Sequence, residues 1–172
     1  MVTRRELLPL LLPLATRGAQ IPRPAGKLLI KTYDGSTVPL SKYQGRVVAV
    51  EFLLTFCGAC QQAARDLELI YQEFRPRGFQ AVGVATNVTD MSAKSDLTAF
   101  VSTTKIRFPI GYVHKDVASE FLQHSLAKIM YFPQIVLIDR KGRVRFHEGG
   151  EAHSHHNPAE VRAQVEKLLR ES

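Results

Sequence analysis

Two cysteines carry the most distinctive chemistry that this sequence offers. Cys57 and Cys60 are the only cysteines of the 172-residue chain, and two residues separate them. A thiolate is the nucleophile of disulfide exchange, and a second thiol at this spacing can resolve the mixed disulfide that the first one forms. The pair follows an apolar run over 47–54 and precedes a helical pattern. We therefore expect it at a strand-to-helix junction, where the helix N-terminus favours the thiolate.

The elements around this pair alternate between strand and helix. Residues 46–54 and 79–86 are almost continuously apolar, as expected of strands buried on both faces of a sheet. Between them, apolar residues recur at helical spacing after Cys60 and stop at Pro76 and Gly78. This strand–helix–strand order predicts two parallel strands joined by the helix.

Further elements extend the predicted sheet on both sides. A short hairpin is expected over 28–38 and a second one over 134–147. Ser95 is the predicted N-cap of one helix, residues 116–123 form another, and a last helix opens at Pro158. These elements place the chain in the α/β class, with a central mixed sheet flanked by helices and an N-terminal β-hairpin extension.

The N-terminus has the composition of an export signal. Two adjacent arginines precede an apolar stretch over 7–15, and small residues follow it. The apolar stretch is too short for a stable membrane span. We therefore predict an export signal over 1–19, a linker over 20–26, a single domain over 27–172, and a periplasmic or otherwise extracytoplasmic location. An amphipathic or disordered tail is the alternative for the N-terminal segment.

Composition argues against several other classes of function. The net charge is +7, but the basic residues are scattered among acids and form no patch with aromatic platforms, so we predict no nucleic-acid partner. Two cysteines are too few for a disulfide scaffold, and a chain of 172 residues can bury a core without one. An exported chain that keeps one close cysteine pair is expected to use it actively.

Three stretches beside the cysteine pair carry a family resemblance. They are residues 33–40, residues 51–60, and Phe132-Pro133 ahead of an apolar strand. With them the chain resembles the thioredoxin-fold proteins of the redoxin and AhpC/TSA type and, more narrowly, the TlpA/ResA group of exported thiol-disulfide oxidoreductases. The resemblance covers about 27–169. It implies a protein-disulfide reductase that is monomeric, acts on client protein thiols and disulfides, takes electrons from a membrane thiol-disulfide donor and needs no cofactor.

The expected catalytic residues are Cys57, Cys60 and Glu51. Cys57 is the predicted exposed nucleophile, and Cys60, one turn further on, is the shielded resolving thiol. Glu51 is a lone carboxylate in an apolar strand, and thioredoxin-like proteins often carry an acid at the matching place. Burial would raise its pKa and let it accept the proton of Cys60. A position facing solvent, or a partner cation, is the alternative for Glu51.

The expected substrate-binding residues are Phe56, Phe132 and Pro133. Pro133 matches the family's cis-proline, beside which the backbone of Phe132 can pair with an extended client. The chain departs from the family pattern here, since Phe56 replaces the usual tryptophan and Phe132 is bulkier than the usual threonine or valine. The spacer Gly58-Ala59 also lacks the family's frequent proline. These departures leave the reduction potential and the client open.

Two other functions fit parts of the sequence. A copper-binding module or metallochaperone would use Cys57, Cys60 and the His153–His156 cluster, although a solvent-exposed loop also explains these histidines. A peroxiredoxin-like peroxidase would need a threonine or serine three residues before Cys57, where the chain has Leu54. The sequence favours instead an extracytoplasmic thiol-disulfide oxidoreductase without bound metal, which exchanges the Cys57/Cys60 dithiol with client disulfides. The family resemblance implies that it acts as a reductase.

Overall fold

The part of the chain that the structure describes is built around one eight-stranded mixed sheet with helices on both faces. The computed structural model describes residues 21–125, 127–149 and 156–171. The predicted export signal over 1–19 lies outside these ranges, as do residues 153–155 of the histidine cluster. Within the described ranges, no helix is both long and apolar enough to cross a membrane.

Strand and helix alternate along the chain much as the apolar patterns predict. The strands are β1 Arg23–Pro24, β2 Leu29–Lys31, β3 Thr37–Pro39, β4 Val47–Leu53, β5 Phe79–Ala85, β6 Ile110–Tyr112, β7 Gln134–Ile138 and β8 Arg143–Glu148. The helices are α1 Gly58–Phe74, α2 Ala93–Thr104, α3 Lys115–Leu122 and α4 Pro158–Arg170. The strand order across the sheet is β1-β8-β7-β4-β5-β6-β2-β3.

The centre of the sheet is formed by β4 and β5, which are apolar along nearly their whole length. Every residue of both strands is buried, and they pair in parallel from Val47 opposite Phe79 to Leu53 opposite Ala85. Helices α1, α2 and α4 cover one face and α3 covers the other. The predicted pair of parallel strands joined by a helix is confirmed.

The N-terminal hairpin extension is also confirmed. Strands β2 and β3 pair antiparallel, and β2 joins the sheet through Lys31, which pairs with Tyr112 of β6. The two strands approach closely at Gly111, where an added Cβ would overlap the backbone carbonyl of Lys31 and lie 2.5 Å from Cγ2 of Ile30. The hairpin can therefore pack against β6 because Gly111 has no side chain.

Helix α2 begins earlier than predicted. The N-cap is Ser92 instead of Ser95. The backbone N–H of Ser92 donates to the carbonyl of Thr89 at 3.1 Å, and the N–H of Asp96 donates to the carbonyl of Ser92 at 2.9 Å. This preceding turn sets the start of the helix. Ser95 lies inside the first turn, where its hydroxyl donates to the carbonyl of Ser92 at 2.9 Å.

A two-residue strand precedes the predicted domain. Arg23 and Pro24 form β1, which pairs antiparallel with Val144 and Arg143 of β8. The guanidinium of Arg23 is buried and donates to the backbone carbonyl of Phe121 at 2.7 Å. A strand of this length is too short to show a period in the sequence, so the predicted linker gave no sign of it.

Candidate active site

The two cysteines lie at the start of α1, directly after the central strand β4. The chain turns after Leu53 and reaches Cys57, which is the N-cap of α1 with φ −81° and ψ 117°. The Sγ atom of Cys57 accepts a hydrogen bond from the backbone N–H of Cys60 at 3.3 Å. This amide and the positive end of the helix dipole therefore face the sulfur, an arrangement that stabilises negative charge.

The two thiols differ sharply in access. Both are free, and Cys57 is half-buried whereas Cys60 is 0% exposed. Burial, and after it the hydrogen bond with Cys57, raises the pKa of the Cys60 thiol above its usual value. One thiol can therefore be reached by a partner, while burial behind it keeps the other thiol in its protonated form.

Glu51 is a buried acid in the central strand β4. It lies in β4 with 0% exposure, and neither carboxyl oxygen has a hydrogen-bond partner among the described residues. Burial is the main cause that raises its pKa well above the usual value, and negative charge at Cys57 and Asp66 raises it further. The position is therefore neither solvent-facing nor paired with a cation in the described part of the chain. Such an acid can bind a proton near neutral pH.

Phe132 and Pro133 directly precede β7, the strand next to β4, and lie beside the end of β4. The bond between them is cis, and the next residue, Gln134, pairs with Phe52 near the point where β4 leads toward Cys57. Phe132 is half-buried and packs against the apolar cores on both faces of the sheet. The fold thus brings Phe132 and Pro133, two of the three predicted substrate-binding residues, to the same end of the sheet as the cysteine pair.

Gln134 supports this loop, and sequence reasoning missed it. Its side chain is buried, and Nε2 donates to the carbonyl of Tyr131 at 2.9 Å. Its Oε1 lies 2.9 Å from Nε2 of His147. Burial lowers the pKa of His147, so the ring is held neutral and its Nε2–H donates to Gln134. The one signal in the sequence is that Gln134, with its side-chain amide, stands at the first position of an otherwise apolar strand.

Asn87 and Gln61 hold the turn that leads to Cys57. The side-chain Oδ1 of Asn87 accepts from the backbone N–H of Thr55 at 3.0 Å, and its Nδ2 donates to the Thr55 hydroxyl at 2.9 Å. Nε2 of Gln61 donates to the carbonyl of Thr55 at 3.0 Å. Sequence reasoning placed Asn87 in a polar loop, because nothing local indicated that it meets a turn 32 residues earlier.

Gly149 packs directly against the proline loop, which makes it a sensitive position. Its φ is +96°, and an added Cβ would overlap the carbonyl oxygen of Pro133 and lie 3.1 Å from Cα of Gln134. We expect Gly149→Ala to lower the free energy of unfolding by about 2 kcal/mol or more, because left-handed strain and overpacking add. Urea unfolding of the reduced protein measures this difference.

Gly142 provides the matched control for this substitution. Its φ is +75°, but an added Cβ would meet nothing within 4 Å. Gly142→Ala should therefore cost only the backbone strain, about 1 kcal/mol. Equal losses in the two variants would show that contact with Pro133 does not constrain Gly149.

His156 is the described member of the predicted histidine cluster, and it contacts two carboxylates. Its Nδ1 lies 2.8 Å from Oε2 of Glu148, and its Nε2 lies 3.6 Å from Oδ2 of Asp66. Among the described residues, no group of three or more histidine, cysteine, aspartate and glutamate side chains is arranged to hold a metal ion. The structure therefore gives His156 acidic partners, while His153 and His155 lie outside the described ranges.

Comparison with known proteins agrees with this geometry. The model of the Redoxin family matches residues 16–165. Thiol-disulfide oxidoreductase ResA of Bacillus thuringiensis subsp. konkukian is 22% identical over 125 residues, which cover 73% of this chain and 67% of the relative.

Solved structures show the same fold. A thiol:disulfide interchange protein of the thioredoxin family from Chlorobium tepidum matches with a TM-score of 0.69 at 22% identity, over 88% of this chain and 99% of its own. A secreted disulfide oxidoreductase of Mycobacterium tuberculosis matches with a TM-score of 0.64 at 17% identity, over 82% and 96%.

The predicted fold and family are both confirmed. A thioredoxin-family structure matches 88% of this chain with a TM-score of 0.69, and the family match covers most of the chain. Cys57 and Cys60 stand together at the helix start, as disulfide exchange requires. This chain belongs to the Redoxin family, and it is an oxidoreductase of the thiol-disulfide class with a thioredoxin-like fold.

Proposed function

We propose that the protein is an extracytoplasmic enzyme that reduces disulfides of client proteins. One observation carries the proposal: a reachable Cys57 at a helix start stands in front of a shielded Cys60. Nearby lies the buried Glu51, whose carboxyl has no hydrogen-bond partner among the described residues. This arrangement supplies a nucleophile, a resolving thiol and a base, which are the three groups that reductive exchange uses.

In the first step, the thiolate of Cys57 attacks one sulfur of the client disulfide. A bond forms between Cys57 and the client while the client's sulfur–sulfur bond breaks. The released client thiolate takes a proton from water. The cap position of Cys57 favours this step because helix amides stabilise the thiolate before the attack.

In the second step, the thiol of Cys60 gives its proton to the Glu51 carboxylate and attacks Cys57. The Cys57–Cys60 disulfide forms, the second client thiolate leaves, and the client has gained two electrons. The charge on Cys57 is one cause that raises the pKa of Glu51. This charge disappears in the mixed disulfide, so the pKa of Glu51 is lower at the stage when a base is needed than in the reduced enzyme.

An external dithiol then returns two electrons and two protons to the pair. We assign this role to a membrane thiol-disulfide donor, because the family resemblance implies one. The predicted export signal over 1–19 and the secreted relative from Mycobacterium tuberculosis support an extracytoplasmic location. We also propose that the enzyme works as a monomer.

An apolar surface beside the cysteines is suited to unfolded or extended clients. Phe56 is 74% exposed next to Cys57, and Ile129 and Tyr131 are exposed on the loop before Phe132. Exposed aromatic and aliphatic side chains of this kind commonly mark binding surfaces. We propose that Phe56 and Phe132 contact client side chains while the backbone near Pro133 pairs with the client chain.

The reduction potential of the Cys57/Cys60 pair tests the proposed direction of electron flow. We expect a value more negative than about −200 mV, on the reducing side of protein disulfide isomerase. Equilibration against a glutathione or dithiothreitol series measures it, with the two redox forms separated by thiol alkylation and mass spectrometry.

Two outcomes would contradict the proposal in different ways. A value near about −120 mV, typical of a strong oxidant, would reverse the direction while leaving disulfide exchange intact. A pair that does not cycle with any thiol buffer would remove the exchange function altogether. Peroxide consumption by the reduced protein, faster than its exchange with disulfides, would favour a peroxidase.

A further inference from the structure

A cluster of charged side chains lies beside α1, outside the residues that the exchange reaction uses. Asp66 of α1, Glu148 at the end of β8 and His156 before α4 contact one another through His156. Their side chains are 22%, 13% and 10% exposed, respectively. We call these three residues the acid–histidine cluster. A cluster this far buried influences its neighbours because water screens it only partly.

The strand register places Glu148 on the same face of the sheet as Glu51. Glu51 of β4 pairs with Ile135 of β7, and Ile135 pairs with Glu148 of β8. Residues paired across neighbouring strands point to the same face, and two strand spacings amount to about 10 Å. The buried acid and the acid–histidine cluster therefore share the layer between the sheet and helices α1 and α4.

The titratable groups that the surrounding elements place near Glu51 are two thiols and two carboxyl groups. The start of α1 contributes Cys57 and Cys60, its third turn contributes Asp66, and β8 contributes Glu148. On its other side, β5 places Gly83 opposite Glu51. The residues that α4 adds to this core are Val161, Val165, Leu168 and Leu169.

Among the described residues named above, His156 is the one that can carry positive charge in this layer. His147, which precedes Glu148 in β8, pairs with Val136 and so lies on the opposite face of the sheet. Arg23 and His124 act on His147 there. The balance of charge around Glu51 therefore depends on one imidazole that stands between two carboxylates.

We propose that His156 is a positioning residue of the exchange reaction: when its imidazole is protonated, it offsets Asp66 and Glu148 and thereby sets the pH at which Glu51 accepts the proton of Cys60. The inference rests on the proposed function only in the role of Glu51 as base. His156 touches neither thiol nor client in this scheme and acts through the electrostatic environment of the buried acid.

The sign of the effect follows from the charges. With His156→Asn, an amide replaces the imidazole and the two carboxylates lose their counter-charge, so the pKa of Glu51 rises further. With Asp66→Asn, one negative charge near Glu51 disappears, so the pKa of Glu51 falls. For charges about 10 Å apart and an effective dielectric constant of about 20, each shift is about one pH unit.

The experiment follows the Glu51 carboxyl directly, without a client. Reduced protein carrying ¹³C-labelled glutamate is titrated by NMR, and the Glu51 resonance is identified by its loss in Glu51→Gln. We expect the midpoint to move up by about one pH unit in His156→Asn and down by about one in Asp66→Asn. The pH dependence of the exchange rate should move in the same two directions.

The opposite signs separate this role from a structural one. Loosened packing in both variants would move the carboxyl midpoint in the same direction, so shifts of equal sign, or no shift, would overturn the proposal. His114→Asn is the matched control, since His114 is an exposed histidine paired with Asp116 at 3.3 Å on α3. It should leave the midpoint unchanged. If the protein exchanged no disulfides, the proposed function would fail, while opposite carboxyl shifts would still show that His156 controls the protonation of Glu51.

Discussion

Cys57→Ser is expected to abolish exchange with client disulfides, whereas Cys60→Ser is expected to stop it halfway. A serine hydroxyl at the cap of α1 is a far weaker nucleophile than a thiolate, so the rate should fall by more than about 10³-fold. In Cys60→Ser the reachable Cys57 remains and still attacks, but nothing resolves the product. This variant should therefore accumulate as a mixed disulfide with one client molecule, visible by mass spectrometry under non-reducing conditions.

The two variants together assign the roles of the thiols. The double variant, with both cysteines replaced by serine, is the control and should trap no client. A mixed disulfide that formed through Cys60 in Cys57→Ser would reverse the assignment. That outcome would conflict with the burial of Cys60, which is 0% exposed while Cys57 is half-buried.

Glu51→Gln is expected to slow the reaction and to stabilise the protein at the same time. Glutamine has nearly the same shape but cannot take the proton of Cys60, so the resolving step should slow by about 10²-fold. The native carboxylate is buried and has no hydrogen-bond partner among the described residues, which makes its charged form costly in the folded state. The variant should therefore be more stable by about 2 kcal/mol or more at pH 8.

The stability difference should depend on pH in a defined direction. Folding raises the pKa of Glu51 above its unfolded value of about 4.3. Between these two values the folded state binds the proton more tightly, so the native protein loses stability as the pH rises, by at most about 1.4 kcal/mol per pH unit from this group. Glu51→Gln lacks this loss, and its advantage should grow from pH 5 to pH 8.

Urea unfolding of reduced protein at several pH values measures this dependence. Glu120→Gln is a suitable control, because Glu120 is exposed on α3; it should change the free energy of unfolding by no more than about 0.5 kcal/mol. Parallel stability curves for the native protein and Glu51→Gln would contradict the assignment of Glu51 as an uncompensated buried acid.

The sequence predicts those parts of the site that local patterns identify. The Cys57 and Cys60 spacing, the lone acid Glu51 in an apolar strand, and the Phe132-Pro133 pair before another strand each differ visibly from their surroundings. The buried central strands show an apolar pattern for the same reason. These features need only neighbouring residues to be recognised.

The remaining parts depend on which residues meet across the fold. Asn87 reaches Thr55, Gln134 meets His147, and His156 joins Glu148 to Asp66. Each contact depends on strand register or helix packing, which a single sequence does not reveal. Polar residues of this kind are common in loops, so their types alone did not distinguish them from residues that simply face water.

The unpartnered carboxyl of Glu51 also bears on how this chain would respond to selection. A laboratory screen that rewards heat resistance alone would favour replacements at position 51 that remove the buried acid, since most alternatives of similar size relieve its burial. Variants selected for heat resistance alone should lose catalytic activity before they lose the fold. Persistence of an acid at this position through many rounds of mutation would in turn measure how strongly catalysis is being selected.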